Sequence, residues 1–179
     1  MGDTEWETFN PSEVDWVPFR TGDAAPAVDM VRKLLQGEVG SSLVRIESPE
    51  PSRTGGLLGR FRKVQRMAAQ VVAGRQGAPL VLTIGEETDE PIGRRFARAG
   101  IVVPDGWSLA APGGTFPWVE APPIADPAKV VEFVVEVLSA FGAAAGEWRV
   151  GIDTPRMVEH SHGPDGTHTH LPGEHHHHH

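Results

Sequence analysis

The C-terminal region carries the most specific chemical pattern of the sequence, two His-x-His pairs on either side of a Gly-Pro-Asp-Gly turn. The pairs are His160 with His162 and His168 with His170. Alternate residues of an extended chain lie on the same side, so each pair presents two imidazoles together. The turn can fold one pair towards the other, and up to four imidazole nitrogens form a suitable ligand set for zinc, nickel or copper. The pattern therefore predicts a metal site in the tail.

Residues 159–170 also resemble the His-rich loop of bacterial zinc-transport substrate-binding proteins, and this resemblance implies that the metal is zinc. A second interpretation rests on composition. Residues 153–174 are rich in Gly, Pro and polar residues, which is typical of a flexible tail without a packed core. Residues 175–179 are five consecutive histidines and look like a purification tag. Composition alone does not separate a native metal site from a linker with a tag, so both interpretations stay open.

A second group of reactive side chains is an acidic cluster of Glu86, Glu87, Asp89 and Glu90. Carboxylate oxygens of this kind are the ligands that hard divalent cations prefer. Acidic residues are also favoured at the start of a helix because they complement the helix macrodipole. A helical pattern follows the cluster, with Pro91 in its first turn. We favour the second interpretation and predict no metal or catalytic role for these carboxylates.

A third group is a run of six cations with no acid between them, Arg53, Arg60, Arg62, Lys63, Arg66 and Arg75. The candidate surface for an acidic partner or a phosphate consists of Arg60, Arg62, Lys63 and Arg66. No phosphate-loop pattern that ends in Lys and Ser or Thr is present. The alternative, which we favour, is a solvated face that balances the acidic first part of the chain.

Residue types that the sequence lacks exclude several functions. The sequence has no Cys and no Tyr, and its nine His all lie between His160 and His179. The predicted globular part therefore lacks the commonest general bases and nucleophile activators, and we predict neither enzymatic activity nor a required cofactor. A net charge of −8 disfavours nucleic acids and anionic membranes as partners. The acidic N-terminus is unlike a signal peptide, and no stretch approaches the ~18 to 20 apolar residues of a membrane span. For these two reasons we expect a cytoplasmic protein.

The elements that must position these residues are organised around one apolar helix, predicted over residues 128–141. Asp126 is the predicted N-cap and Pro127 the first helical residue, and Gly142 suits the left-handed residue that ends a helix. The polar residues of this segment are three or four apart and share one narrow face: Lys129, Glu132, Glu136 and Ser139. A helix that is apolar over the remaining arc is expected to lie on a sheet.

Alternating and apolar runs predict the strands of that sheet at residues 43–46, 78–84, 107–110, 116–120 and 147–152. A helix is predicted over residues 23–36, with Thr21 or Asp23 as its N-cap and Gly37 at its end, and another helix is predicted after Pro91. Residues 61–73 fit either a helix or a strand. A strand that forms a hairpin with residues 78–84 is the more economical interpretation.

The chain is thus predicted to form one α/β (α+β) domain, with a mainly antiparallel sheet flanked by helices, over residues 23–152. A flexible His-rich tail follows it over residues 153–174. Residues 1–22 precede the domain as an acidic leader that contains Trp6, Phe9, Trp16 and Phe19. Both docking of this leader onto the domain and a partly ordered leader are compatible with its composition.

Four short features between Lys63 and Val150 are shared with one known family. They are Val64-Gln65 on a strand, a turn from Gly100 through Pro104 to Trp107, a strand with Trp118, and a Val-rich helix over residues 130–141. With these features the segment resembles the TY-chaperone family, actinobacterial domains related to type III secretion chaperones. The resemblance implies an antiparallel sheet flanked by helices, a protein-binding surface, frequent dimerisation and no catalytic residues. It also favours a strand over residues 63–73.

The sequence therefore predicts a non-catalytic protein-interaction or secretion-chaperone-like module, whose partner is another protein or a second copy of the chain. The alternative is a protein that handles or buffers zinc or nickel through its His-rich tail. A third hypothesis, an enzyme that uses the carboxylates of residues 86–90 with a divalent metal, is the least favoured.

Overall fold

Three helices and nine strands make up the part of the chain that the structure describes. This computed structural model describes residues 13–39, 42–51, 65–75 and 77–154, and the backbone of residues 158–161 and 167–170. The helices are α1 (Ala25–Leu35), α2 (Ile92–Arg98) and α3 (Pro127–Ala140). The strands are β1 (Val17–Phe19), β2 (Leu43–Glu47), β3 (Ala68–Val72), β4 (Leu80–Ile84), β5 (Ser108–Leu109), β6 (Trp118–Ala121), β7 (Trp148–Asp153), β8 (Val158–Ser161) and β9 (Thr167–His170). No helix within these ranges is long and apolar enough to cross a membrane.

Strands β1 to β7 form one sheet in the order β1-β7-β2-β3-β4-β6-β5, and its pairings are antiparallel. The predicted fold class, an α+β domain with a mainly antiparallel sheet flanked by helices, is confirmed. The β3–β4 hairpin confirms the strand interpretation of the ambiguous segment for residues 68–72. Residues 65–67 precede the strand, so the expected strand position of Gln65 was wrong, and residues 61–64 lie outside the described residues. The sequence did not predict β1. It comes from the leader and pairs with β7, so the sheet begins before residue 23.

Helix α3 confirms the central prediction from the sequence. The carboxylate of Asp126 accepts a hydrogen bond from the backbone N–H of Ala128 at 3.0 Å, Pro127 lies in the first turn, and Gly142 follows with a φ of 104°. The four polar residues of the segment are exposed. The buried residues come from the rest of the circumference: Val130, Val131, Phe133, Val134, Val137 and Leu138.

Helix α1 begins later than predicted and has no side-chain cap. Ala24 occupies the N-cap position, and no side chain bonds to the first turn. Thr21 and Asp23 were the two predicted candidates for this N-cap position. Asp23 instead takes part in a turn, in which its backbone N–H donates to the carbonyl oxygen of Arg20 at 2.9 Å. The predicted end of the helix is confirmed, since Gly37 has a φ of 73°.

The sheet has one face covered by helices and one face that no described helix covers. Helices α1 and α3 pack on the inward side chains of β2, β3, β4 and β7, such as Ile46, Val71 and Leu82. Along each strand these side chains alternate with outward ones. Phe96 of α2 contacts Phe133 of α3, so α2 lies on the same side. We call the opposite face of the sheet the outer face.

Candidate functional site

The predicted metal ligands of the tail lie partly within the described backbone. His162 lies outside it, whereas the other three histidines lie on β8 and β9, which pair antiparallel. His160 is the Cα partner of His168, and His170 is the partner of Val158. Residues directly opposite each other in an antiparallel pair share a face, as do residues two apart on one strand. The register therefore assigns residues 160, 168 and 170 to one face of the ribbon.

Of the predicted basic surface, Arg60, Arg62 and Lys63 lie outside the described residues, and Arg66 lies within them. The Nη1 of Arg66 donates to the carbonyl oxygen of Ser48 at 3.1 Å, and its Nη2 lies 3.5 Å from a carboxylate oxygen of Glu50. Its side chain is 21% exposed. Arg66 thus ties the segment before β3 to the segment after β2, which is a structural role.

The acidic cluster before α2 does not serve the helix start, so that prediction was wrong. Pro91 is the N-cap, and no acidic residue lies in the first turn. Glu90 forms an ion pair with Arg98 at 2.6 Å, and Glu87 accepts a hydrogen bond from Thr115. These partners compete for the carboxylates and draw them away from the backbone N–H groups. Within the described ranges no three His, Cys, Asp or Glu side chains form a group that could hold a metal ion.

A cleft of about 610 Å³ lies between this loop and the end of α3. The guanidinium carbon of Arg95 is 3.9 Å from the ring centroid of Phe141, and its Nη1 donates to the carbonyl oxygen of Glu86 at 2.9 Å. Burial lowers the pKa of Arg95 from its ordinary value, while Glu90 opposes this shift and Arg98 adds to it. Arg95 is thus held by a ring and a backbone carbonyl, an arrangement that anchors α2 to α3.

The outer face carries a strip of side chains that crosses four strands. Arg45, Gln70, Thr83 and Trp118 are successive Cα partners on β2, β3, β4 and β6. The two ends of this strip are three inter-strand spacings apart, a distance of about 14 Å. It runs from a cation through an amide and a hydroxyl to an aromatic ring. Such a series can hydrogen-bond at its centre and make apolar contacts at one end.

A buried ion cluster lies at the cationic end of the strip, and we call it the Glu47 cluster: Trp16, Arg45, Glu47 and Arg149. The side chain of Glu47 is 5% exposed. It accepts from the Nε of Arg45 at 2.9 Å and from the Nε of Arg149 at 2.8 Å. The guanidinium of Arg149 lies 4.1 Å from the ring centroid of Trp16. Two guanidiniums therefore share the carboxylate of Glu47.

An apolar corner lies at the other end of the strip. Among the described residues, five large apolar side chains are exposed: Val72, Val102, Phe116, Trp118 and Ile124. Val72 and Trp118 are outward on the two strands that flank β4, each 38% exposed, and Phe116, two residues before β6, is 47% exposed. We call these three residues the apolar corner. Exposed apolar side chains near one another on a surface are typical of protein-binding surfaces.

Both edges of the sheet are too short to receive an added strand. β1 has three residues with Pro18 at its centre, and β5 has two. Proline lacks the backbone N–H that a neighbouring strand would need, and short edge strands limit pairing with other chains. Addition of a strand at either edge is therefore disfavoured, and the outer face is the candidate surface of the sheet.

Sequence reasoning missed the residues of this face because their placement depends on strand register. The sequence predicted a strand over residues 43–46, which includes Arg45 and ends before Glu47. It did not identify Arg149 as their neighbour, since that contact depends on the pairing of β2 with β7.

Comparisons with models of protein families, with curated proteins and with solved structures find no match for this chain.

Proposed function

We propose that the chain is a non-catalytic protein-interaction module and that its partner protein binds on the outer face of the sheet. The observation that carries this proposal is the apolar corner, with Val72, Phe116 and Trp118 exposed on or beside a sheet face that no helix in the described ranges covers. The resemblance to the TY-chaperone family supports the same function, because it implies a protein-binding surface and no catalytic residues. A cytoplasmic location and a secretion-chaperone role belong to this proposal.

The chemistry of the outer face favours a protein over a small molecule. The strip between Arg45 and Trp118 crosses four strands of an open sheet face, whereas small-molecule sites are enclosed clefts. Aromatic and Arg side chains at its two ends are the residue types that dominate protein–protein interfaces. An extended segment of the partner would place an acidic residue near the Glu47 cluster and an apolar residue at the apolar corner.

The proposal is tested with two matched double variants. Trp118→Ser with Val72→Ser removes two of the three residues of the apolar corner, and Val102→Ser with Ile124→Ser removes two exposed apolar side chains elsewhere. Proteins captured from the source cells are compared by quantitative mass spectrometry for wild type and both variants. We expect the partner to be lost only with the first variant. Ile124 borders a separate apolar cleft of about 300 Å³, so loss with the second variant alone would contradict the proposal.

A second copy of the chain is also a possible partner, and sedimentation distinguishes this case. The self-association constant of wild type and of both double variants is measured over a concentration series. Weakening in Trp118→Ser with Val72→Ser alone identifies the outer face as the dimer interface. Dimers of unchanged affinity in that variant would mean that any self-association uses another surface.

The second candidate function is handling of zinc or nickel by the tail, and the register of β8 and β9 favours it. His160 and His168 are direct partners, and their Cβ atoms in such a pair are about 5 Å apart. Zinc is titrated calorimetrically after removal of residues 175–179, because five consecutive histidines bind metal in any context. We expect His160→Ala with His168→Ala to abolish binding and Glu159→Gln with Thr169→Ala, a pair on the other face, to preserve it. Equal affinity of the two variants would contradict a site built on this register.

A further inference from the structure

The apolar cleft of about 300 Å³ that Ile124 borders lies on the side of the sheet that the helices cover. Its walls come from the end of α1, the turn between β3 and β4, and the loop between β6 and α3, and they include Leu35, Ala78 and Ile124. Leu80 of β4 also lines the cleft, and it is a member of the hydrophobic core with 1% exposure. Leu80 and the inward Leu82 are two residues apart on one strand and share a face. The cleft therefore reaches the core from the side opposite the outer face.

The walls of this cleft are suited to an apolar group. Apart from Arg75, the described residues that line it are apolar or glycine. Ile124 is 92% exposed, more than any other large apolar side chain in the described ranges. A ligand that covered Ile124 and filled the cleft would remove apolar surface from water, which is favourable. The volume is at the lower end of the range of about 300–1,000 Å³ for small-molecule sites, so the fitting ligand is small.

Arg75 is the charged residue of the lining, and no acidic residue of the described ranges accompanies it there. Within residues 13–39, 42–51, 65–75 and 77–154, no group bonds to its guanidinium. The larger cleft beside α2 differs, since Arg95 there bonds to the carbonyl oxygen of Glu86 and Arg98 pairs with Glu90. A guanidinium keeps its charge and presents its N–H donors in a planar fork that matches a carboxylate. An unpaired cation beside an apolar cleft is complementary to a molecule with an anionic head and an apolar body.

We propose that this cleft binds a small amphiphilic carboxylate, with its apolar chain against Leu80 and Ile124 and its carboxylate on Arg75. The ligand is a free small molecule and not a lipid within a bilayer, because the net charge of −8 opposes approach to an anionic membrane. The cleft and the outer face are on opposite sides of the sheet, so this proposal does not depend on the binding of a protein partner.

The experiment titrates the full-length, isotope-labelled protein with three probes and follows the amide NMR signals. Octanoate has both a chain and a carboxylate, octylammonium has the same chain with the opposite charge, and acetate has the charge without the chain. We expect octanoate to shift the signals of Ala73, Ala78 and Ile124 saturably and to leave Thr83 and Glu120, on the outer face, unchanged. The other two probes should cause much smaller shifts at the same concentrations. No saturable shift with octanoate, or equal shifts on both sides of the sheet, would overturn the proposal.

Two substitutions at exposed positions test the two parts of the site. Arg75→Gln should weaken octanoate binding by at least about tenfold, because it removes a hydrogen-bonding partner that carries a charge. Arg94→Gln, at an exposed position of α2, removes the same charge elsewhere and should bind octanoate as wild type does. Ile124→Ser should weaken binding several-fold, whereas Val102→Ser, at a position that is 81% exposed, should not. Equal affinity within either matched pair would contradict the role given to Arg75 or to Ile124.

A sedimentation assay with phosphatidylglycerol vesicles tests whether the ligand is free or part of a membrane. We expect the protein to remain in the supernatant. Sedimentation with the vesicles that Arg75→Gln abolishes would mean that the cleft binds a membrane lipid, which contradicts the proposal. Trp118→Ser with Val72→Ser should bind octanoate normally, so a failure of the partner-binding proposal and a failure of this one are distinguishable.

Discussion

Glu47 is the one carboxylate that is buried among the described residues, and it defines the chemistry of the outer face. A buried charge is unfavourable unless it is paired and hydrogen-bonded. Arg45 and Arg149 provide that pairing, the second from a strand 102 residues away in sequence. The cluster therefore joins β2 to β7 and at the same time keeps two guanidiniums, 18% and 26% exposed, at the surface.

We predict that Glu47→Ala lowers the free energy of unfolding by about 3 kcal/mol, because it removes the buried carboxylate that both guanidiniums share. The measurement is urea denaturation followed by circular dichroism. Glu136→Ala, an exposed position on α3, is the control and should change the midpoint little. Equal midpoints for both variants would show that the cluster contributes nothing to stability.

The second prediction at this scale concerns Gly151. Gly151→Ala adds a methyl group at the position that Val14 and Trp16 occupy, so residues 14–16 must move. Overpacking of this kind costs about 1–3 kcal/mol. We expect a lower unfolding midpoint and a red shift of tryptophan emission. Gly113→Ala is the control because no atom lies within 4 Å of its added Cβ, and a normal midpoint and emission in Gly151→Ala would contradict the packing of this segment.

At the scale of elements, α3 supplies the largest apolar surface to the core. Its N-cap, first-turn proline and C-terminal glycine all act locally, which is why the sequence predicted its bounds well. The five valines in the segment favour a strand in isolation. Burial against the sheet offsets that preference, since most helical stability in a domain comes from packing of an apolar face.

We predict that Val134→Asp abolishes cooperative unfolding. Val134 is fully buried, and an unpaired carboxylate at this position costs several kcal/mol, comparable with the total stability of about 5–15 kcal/mol of a domain. Thermal denaturation monitored by calorimetry is the measurement. Glu132→Ala on the exposed face should melt close to wild type. A melting temperature of Val134→Asp within a few degrees of wild type would refute the assignment of the buried face.

At the scale of the whole molecule, the domain and the tail are expected to act independently. The tail's composition contains few apolar residues, so little drives it to pack on the domain. The inner face and α1, α2 and α3 provide the core, the outer face is proposed to bind a partner, and the tail is proposed to bind metal. Each proposed function therefore uses a separate part of the chain.

We predict that zinc binding by the tail is lost as the pH falls through about 6.5, because only neutral imidazole binds zinc. The protein without residues 175–179 is titrated with zinc in a calorimeter at several pH values. The melting temperature of the metal-free protein is measured as well. Changing His160, His162, His168 and His170 to Ala should abolish zinc binding and leave that melting temperature unchanged. A pH-independent affinity would point to carboxylates instead of imidazoles, and a lower melting temperature would contradict the independence of the tail.

The sequence by itself determined the features whose causes lie within a few residues of one another. The ends of α3 are marked by Asp126, Pro127 and Gly142, and the spacing of its polar residues identified the exposed side. Alternation identified the strands, and the Gly-containing turn between residues 73 and 78 supported the β3–β4 hairpin. Local backbone preferences and side-chain periodicity suffice for such predictions.

Only the tertiary structure decided which surface is available to a partner. The sheet order inserts the last strand of the domain, β7, between β1 and β2, and no local signal specifies that order. The same pairing brings Arg149 to Glu47 and seats Val14 and Trp16 over Gly151. Strand order depends on how apolar faces are buried together across the whole chain, so the outer face and its chemistry follow from long-range packing.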